Sequence, residues 1–230
     1  MNLRKFASLE AAAAVLAAQI VVTLRRALAV RPHASLVVPG GRTPAALFRA
    51  LRGAALDWDR VRITLTDERW VPEDHQASNA ALIRRELLAD AATAATFVPL
   101  YNAAPSAAEG AASSWRTIEG IGLPFDSVVL GMGEDAHFAS LFPGSPGISQ
   151  ALDPAAPPAC VAMRAPVAPL ERLSLNLAAL ARTRQLSLLV TGAEKLALLG
   201  EASGRPPVAA HPVTALLAVR QPEVEVLWAP

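Results

Sequence analysis

Short apolar runs that stop at glycines or a charged turn, with a helical pattern following, recur along this chain and constrain its fold more than any other feature. The clearest lies within Asp126–Gly144, where Val128, Val129 and Leu130 form a run apolar enough to be a strand buried on both faces. Gly131 and Gly133 end it, where backbone turns tightly or approaches a ligand closely. Asp135 and His137 follow just beyond the strand's carboxyl end, which is where open α/β sheets bind ligands.

The same grammar appears elsewhere. Ser35–Val38 reads as a strand ending in Pro39-Gly-Gly-Arg-Thr-Pro44, with a helix over Ala45–Leu51. Thr43 is the expected N-cap and Pro44 the first helical residue, since proline's missing N–H costs nothing there. Such a glycine turn exposes backbone donors at the positive end of a helix and suits a phosphate. Val61–Thr66 alternates as a strand and runs into Asp67-Glu68-Arg69-Trp70-Val71-Pro72. Ser78 is placed to cap a helix whose apolar face is Leu82, Ile83, Leu87 and Leu88, and Ser106 with Glu109 matches a capping box opening a helix over Ala107–Ile118. Asp153–Pro169 is rich in proline and alanine and reads as an irregular connection. Glu171–Asn176 reads as a strand entering a helical stretch through Leu180. Gln185–Val190 is another strand, ending in Thr191-Gly-Ala-Glu-Lys195 and a helix through Leu199. A helical pattern over His211–Val219 and a strand over Val224–Trp228 follow.

At the amino end, Phe6, Leu9, Leu16, Ile20 and Leu24 recur at helical spacing, which predicts an alanine-rich helix with one buried stripe. The apolar stretch Ala11–Leu24 is interrupted by Gln19 and Thr23, closed by Arg25-Arg26, and reads as too short to span a membrane. The alternation predicts an α/β fold, a mostly parallel sheet with helices on both faces and right-handed crossovers. A chain of 230 residues suits a single domain over 1–230.

A net charge of +1, with no basic stripe interleaved with aromatics, argues against a nucleic-acid partner and leaves room for a small anionic substrate. Cys160 is the only cysteine, so no internal disulfide or cysteine-rich metal site can form, and a reducing cytoplasm is the expected compartment. His33, His75, His137 and His211 lie far apart without helical ligand spacing, which disfavours a zinc hydrolase. The absence of a Gly-x-Ser-x-Gly elbow disfavours a serine hydrolase. With nineteen arginines and two lysines, the composition prefers arginine for surface cations, so Lys195 in a strand-to-helix loop stands out. A compact ammonium suits a phosphate oxygen approached as a point charge.

Taken together, Gly40-Gly-Arg-Thr-Pro44, Asp67-Glu-Arg-Trp-Val-Pro72 with Ser78-Asn79, Gly131-Met-Gly-Glu-Asp-Ala-His-Phe-Ala-Ser-Leu-Phe-Pro-Gly144 and Gly192-Ala-Glu-Lys195 resemble the 6-phosphogluconolactonase family, nearly end to end. The resemblance implies a Rossmann-like α/β fold shared with glucosamine-6-phosphate deaminase, and hydrolysis of 6-phospho-D-glucono-1,5-lactone in the oxidative pentose phosphate pathway. It implies a sugar-phosphate lactone as the ligand; with a side chain as the base and no cluster of metal ligands, no metal or other cofactor is expected. Carried onto this sequence, it implies that Gly40, Gly41, Arg42 and Thr43, with Arg172 and Lys195, grip the phosphate. It also places the family's Asp-Glu-Arg on Asp67, Glu68 and Arg69, with Arg69 near the substrate and Asp67 counted among the catalytic residues, and its catalytic histidine on His137; Asp135, two residues before, is a candidate to orient the ring. The chain departs from the family pattern at Ala136 and Phe138, where glycine and threonine are commoner, and at Pro39, where serine is frequent. Two other readings share the phosphate machinery. A glucosamine-6-phosphate deaminase would need the glutamate that its family carries where this chain has Phe142, and a silent sugar-phosphate binding protein would need no base at all.

Overall fold

The computed structural model describes residues 1–230. In chain order the elements are β1 (Asn2–Lys5), α1 (Leu9–Leu28), β2 (Ala34–Val38), α2 (Pro44–Arg52), β3 (Val61–Leu65), β4 (Asp67–Arg69), α3 (Asn79–Glu86), β5 (Thr96–Val98), α4 (Ala107–Glu119) and β6 (Phe125–Leu130). They continue with α5 (Ile148–Ala151), β7 (Cys160–Arg164), β8 (Glu171–Leu175), α6 (Leu177–Ala181), β9 (Thr183–Thr191), α7 (Ala193–Ala202), α8 (Val213–Leu217) and β10 (Glu225–Ala229).

Seven strands form one sheet in the order β1-β10-β9-β6-β2-β3-β5, and every pairing in it is parallel. Every residue of β2 and of β6 is buried; since successive side chains point to opposite faces, both faces of the sheet centre are covered. Chain order runs outward from β2 through β3 to β5, then restarts at β6 on the other side of β2. That reversal makes the crevice above the carboxyl ends of β2 and β6 a topological switch point, the position where such sheets receive ligands. The hydrophobic core is one cluster of 58 buried residues reaching from Ala12 to Leu227.

Local chemistry fixes the helix starts. Ser8, Ser78, Ser106 and Asn176 each accept a backbone N–H with the side chain at the N-cap of α1, α3, α4 and α6. Thr43 does not do so: it is itself helical at φ −57°, ψ −43°, makes no side-chain cap, and leaves the N-terminus of α2 to Pro44.

Several sequence expectations are corrected. Phe6 is not part of the first helix; it follows the edge strand β1, and its N–H donates to the Trp228 carbonyl. Helix α1 extends beyond Ala11–Leu24 to 20 residues, long and apolar enough to cross a membrane by length and composition. Its stripe of Ala12, Leu16, Ile20 and Leu24 is instead buried against β2, β6, β9 and β10. Asp67–Arg69 is not a charged turn after β3 but the strand β4, and the strand at Glu171 does not join the parallel sheet. These two and β7 form a separate antiparallel sheet in the order β4-β8-β7. β7 lies inside Asp153–Pro169, a stretch that reads as irregular because its prolines and alanines carry no alternating pattern. The small sheet places Asp67, Arg69 and Arg172 beside the switch point.

Candidate active site

A cavity of about 290 Å³ opens at the switch point. The loop Pro39–Pro44 after β2, Gly131–Gly133 and His137 after β6, and Thr191 and Lys195 after β9 line it from the parallel sheet. Asp67, Arg69 and Arg172 line it from the small sheet. Every sequence-predicted site residue therefore faces one space except Asp135, which joins it through His137.

The histidine is held from three sides. His137 Nδ1 is hydrogen-bonded to Asp135 Oδ1, which also accepts the His137 backbone N–H at 3.2 Å. Burial works against a charge on Asp135, but the side-chain and backbone hydrogen bonds from His137 outweigh it together and hold the carboxyl below the usual aspartate value. A carboxylate so depressed is ionised near neutrality and can only accept, so Nδ1 carries the proton in the neutral imidazole and Nε2 carries the lone pair. On a second side, a Cβ at Gly133 would sit 2.2 Å from His137 Cε1, so only glycine permits this approach. On the third, the Phe142 ring packs against the imidazole at 4.3 Å between centroids, tilted by 41°. The turn is closed by the Gly133 N–H donating to the His137 carbonyl at 2.9 Å. That commitment takes the Gly133 N–H away from a ligand, while Arg69, Gly131 and Met132 line the cavity beside it.

The departures at Ala136 and Phe138 do not alter the cavity wall. Ala136 adopts the left-handed φ of 64° that favours glycine, while its carbonyl accepts from the Val213 N–H at 3.0 Å. Phe138 is fully buried in the core.

The cavity gathers four cations, Arg42, Arg69, Arg172 and Lys195, against one carboxylate, Asp67. Arg69 and Arg172 are direct partners across the β4–β8 ladder, where like charges repel. Arg172 is 6% exposed and its Nη1 is buried without a hydrogen-bond partner. Burial, then the neighbouring Arg69, lowers its pKa, partly offset by Asp67 and Glu68. A desolvated guanidinium facing another guanidinium lacks an anion, and a phosphate would supply the missing acceptors.

The two acids at the end of β3 part ways. Asp67 accepts from Thr66 Oγ1 at 2.7 Å and from Ser140 Oγ at 2.6 Å, tying the cavity wall to the histidine loop. Glu68 is 1% exposed and points away, accepting the Arg69, Asn79 and Ala80 N–H groups at 2.7 Å each and Ser78 Oγ at 3.2 Å. Burial raises its pKa despite these donors. Glu68 thus caps the start of α3. Asn79, Ser140 and Phe142 also line the cavity. The sequence assigned no role to Asn79, which looks like the first residue after a helix cap, or to Ser140; Phe142 it marked only as the position where a deaminase carries its glutamate, with no contact to the histidine.

The model of the glucosamine-6-phosphate isomerases/6-phosphogluconolactonase family matches residues 7–228. The chain belongs to that family. Among its relatives, a 6-phosphogluconolactonase of Rhizobium meliloti is 40% identical over 229 residues, covering 100% of this chain and 99% of the relative. One of Pseudomonas aeruginosa is 47% identical over 187 residues, 81% of this chain and 79% of the relative. The crystal structure of a 6-phosphogluconolactonase from Shewanella baltica superposes with a TM-score of 0.95 at 39% identity, covering 100% of this chain and 98% of that one. A monomeric glucosamine-6-phosphate deaminase superposes with a TM-score of 0.81 at 17% identity, so both branches of the family share this fold.

Proposed function

We propose that this protein is a carboxylic ester hydrolase that opens 6-phospho-D-glucono-1,5-lactone to 6-phospho-D-gluconate. The observation that carries this reading is the His137 ring, held by Asp135, in the same cavity as four cations, one of which, Arg172, has a buried Nη1 without a partner. The relatives at high coverage bear the same activity in their names.

In this reading the sugar phosphate lies among the glycine loop, Arg172 and Lys195, which places the lactone carbonyl beside His137. Nε2 takes a proton from water as the water oxygen attacks C1, and Asp135 stabilises the resulting imidazolium. Arg69 and the backbone at Gly131 and Met132 donate to the oxyanion. When the tetrahedral intermediate collapses, the bond between C1 and the ring oxygen breaks and the imidazolium returns its proton to that oxygen. No step calls for a metal.

Phe142 favours lactone hydrolysis over deamination. A deaminase needs a proton-transferring acid where this chain presents an aromatic ring packed on the imidazole. The test is a rapid lactone-hydrolysis assay on purified protein, corrected for spontaneous opening, run beside an assay for conversion of glucosamine 6-phosphate to fructose 6-phosphate. Lactone turnover without sugar conversion is expected. Sugar conversion would restore the deaminase reading, and phosphogluconate binding without turnover would make the chain a binding protein.

A further inference from the structure

We propose that Asn79 is a positioning residue of this site: it aims the Arg69 guanidinium and couples it to the glycine loop. The inference rests on the lactonase reading above, in which Arg69 faces the reacting carbonyl.

Asn79 is 2% exposed and is held by every polar group it has near the cavity. Its Oδ1 accepts from Arg69 Nη1 at 2.7 Å, its Nδ2 donates to the Asp67 carbonyl at 2.9 Å, and its backbone N–H donates to Glu68 Oε1 at 2.7 Å. The amide has only one workable orientation, because a guanidinium can only donate and a carbonyl can only accept. Arg69 Nη1 also donates to the Ala77 carbonyl at 2.7 Å. Both hydrogens of Nη1 are therefore spent on protein, the guanidinium plane is fixed, and Nε and Nη2 are left for the substrate.

Without the Asn79 amide, Arg69 would keep one anchor and swing away from Arg172, its like-charged partner across the ladder. The third contact is steric. A Cβ at Gly40 would lie 1.9 Å from Asn79 Oδ1, so the glycine loop and the amide occupy adjoining space, and neither can move toward the other. Asn79 thereby links the loop assigned to the phosphate with the donor assigned to the oxyanion.

The test is a pair of double-mutant cycles, Asn79→Ala with Arg69→Ala and Asn79→Ala with Gly40→Ala. Each is read as kcat for lactone opening and as Kd for 6-phosphogluconate by calorimetry. Misplacing one donor by about an ångström lowers kcat by about 10- to 10²-fold. Asn79→Ala is expected to show that loss with Kd within about threefold of the parent, because phosphate binding rests on other residues. The loss should be absent in the Arg69→Ala background, and Gly40→Ala should cost less kcat once the Asn79 amide is gone.

A residue that merely starts a helix would lower Tm while leaving kcat per folded molecule at the parental value; that result, or additive losses with Arg69→Ala, would overturn the proposal. If Asn79→Ala is too unstable to purify, Gly40→Ala takes its place. Displacing the amide from the loop side should lower kcat in the parent and not in Arg69→Ala, and parental kcat in Gly40→Ala would overturn the proposal. Failure of the parent to open the lactone would refute the function itself, whereas parental turnover with an unimpaired Asn79→Ala refutes this inference alone.

Discussion

Asp135 accepts both the Nδ1–H and the backbone N–H of His137, two residues further along the same tight turn, so one carboxylate fixes the tautomer and the position of the imidazole. The sequence left open which acid orients the histidine, since Asp67 and Glu68 also lie at a strand end. Glu68 is consumed in capping α3 and Asp67 in holding Ser140, and Asp135 alone bonds the ring.

Replacing Asp135 with Asn should lower kcat within the range of about 10²- to 10⁴-fold that general-base catalysis contributes, because an amide can hold the ring in the wrong tautomer. The same variant carries a pH signature. The folded pKa of Asp135 lies below its ordinary value of 3.8, so its contribution to stability is present above that value and is lost as pH falls through the lowered one. Denaturant unfolding at a series of pH values should therefore show the parent's advantage over Asp135→Asn shrinking in acid. An advantage that grows as pH falls would mean that the hydrogen bond does not depress the carboxyl.

Gly133→Ala tests the close approach beneath the ring. The added methyl would meet His137 Cε1 and Nδ1 at 2.2 and 2.3 Å, so the imidazole must move. A displacement of that order costs about 10²-fold in kcat. Calorimetry should find 6-phosphogluconate affinity near the parental value. Unchanged kcat would show that the ring position is not critical.

Removing Arg172 or Lys195 should weaken 6-phosphogluconate binding by about 2 to 5 kcal/mol, as truncating one partner of a desolvated charge contact does. Inorganic phosphate should raise the parent's Tm and raise that of Arg172→Ala far less, because the buried Nη1 that lacks a partner is gone. If both variants bind 6-phosphogluconate like the parent, the phosphate lies elsewhere in the cavity.

The parallel sheet was legible because β2, β6 and β9 are uninterrupted apolar runs punctuated by glycine or polar turns, and α3 and α4 because serines cap them. The small sheet was not. β4 is the three charged or polar residues Asp67-Glu68-Arg69, β7 lacks alternation, and both are strands only because β8 pairs with them. The glycine-loop residues that line the cavity could be named as candidates from sequence, since the pattern and the proposed chemistry share the same positions. What needed three dimensions was the pairing of Arg69 with Arg172, more than a hundred residues apart in the chain, and the commitment of Asn79 to Arg69.

The most direct test concerns His137, since the cationic cluster would serve a binding protein equally well and only a base beside the carbonyl makes a hydrolase. His137→Asn keeps a polar side chain of similar reach and removes the basic nitrogen. Its kcat for 6-phosphogluconolactone, measured with an enzyme-free control at each pH, should fall by about 10²- to 10⁴-fold while 6-phosphogluconate affinity persists. A His137→Asn protein with near-parental kcat would contradict the assignment of His137 as the base.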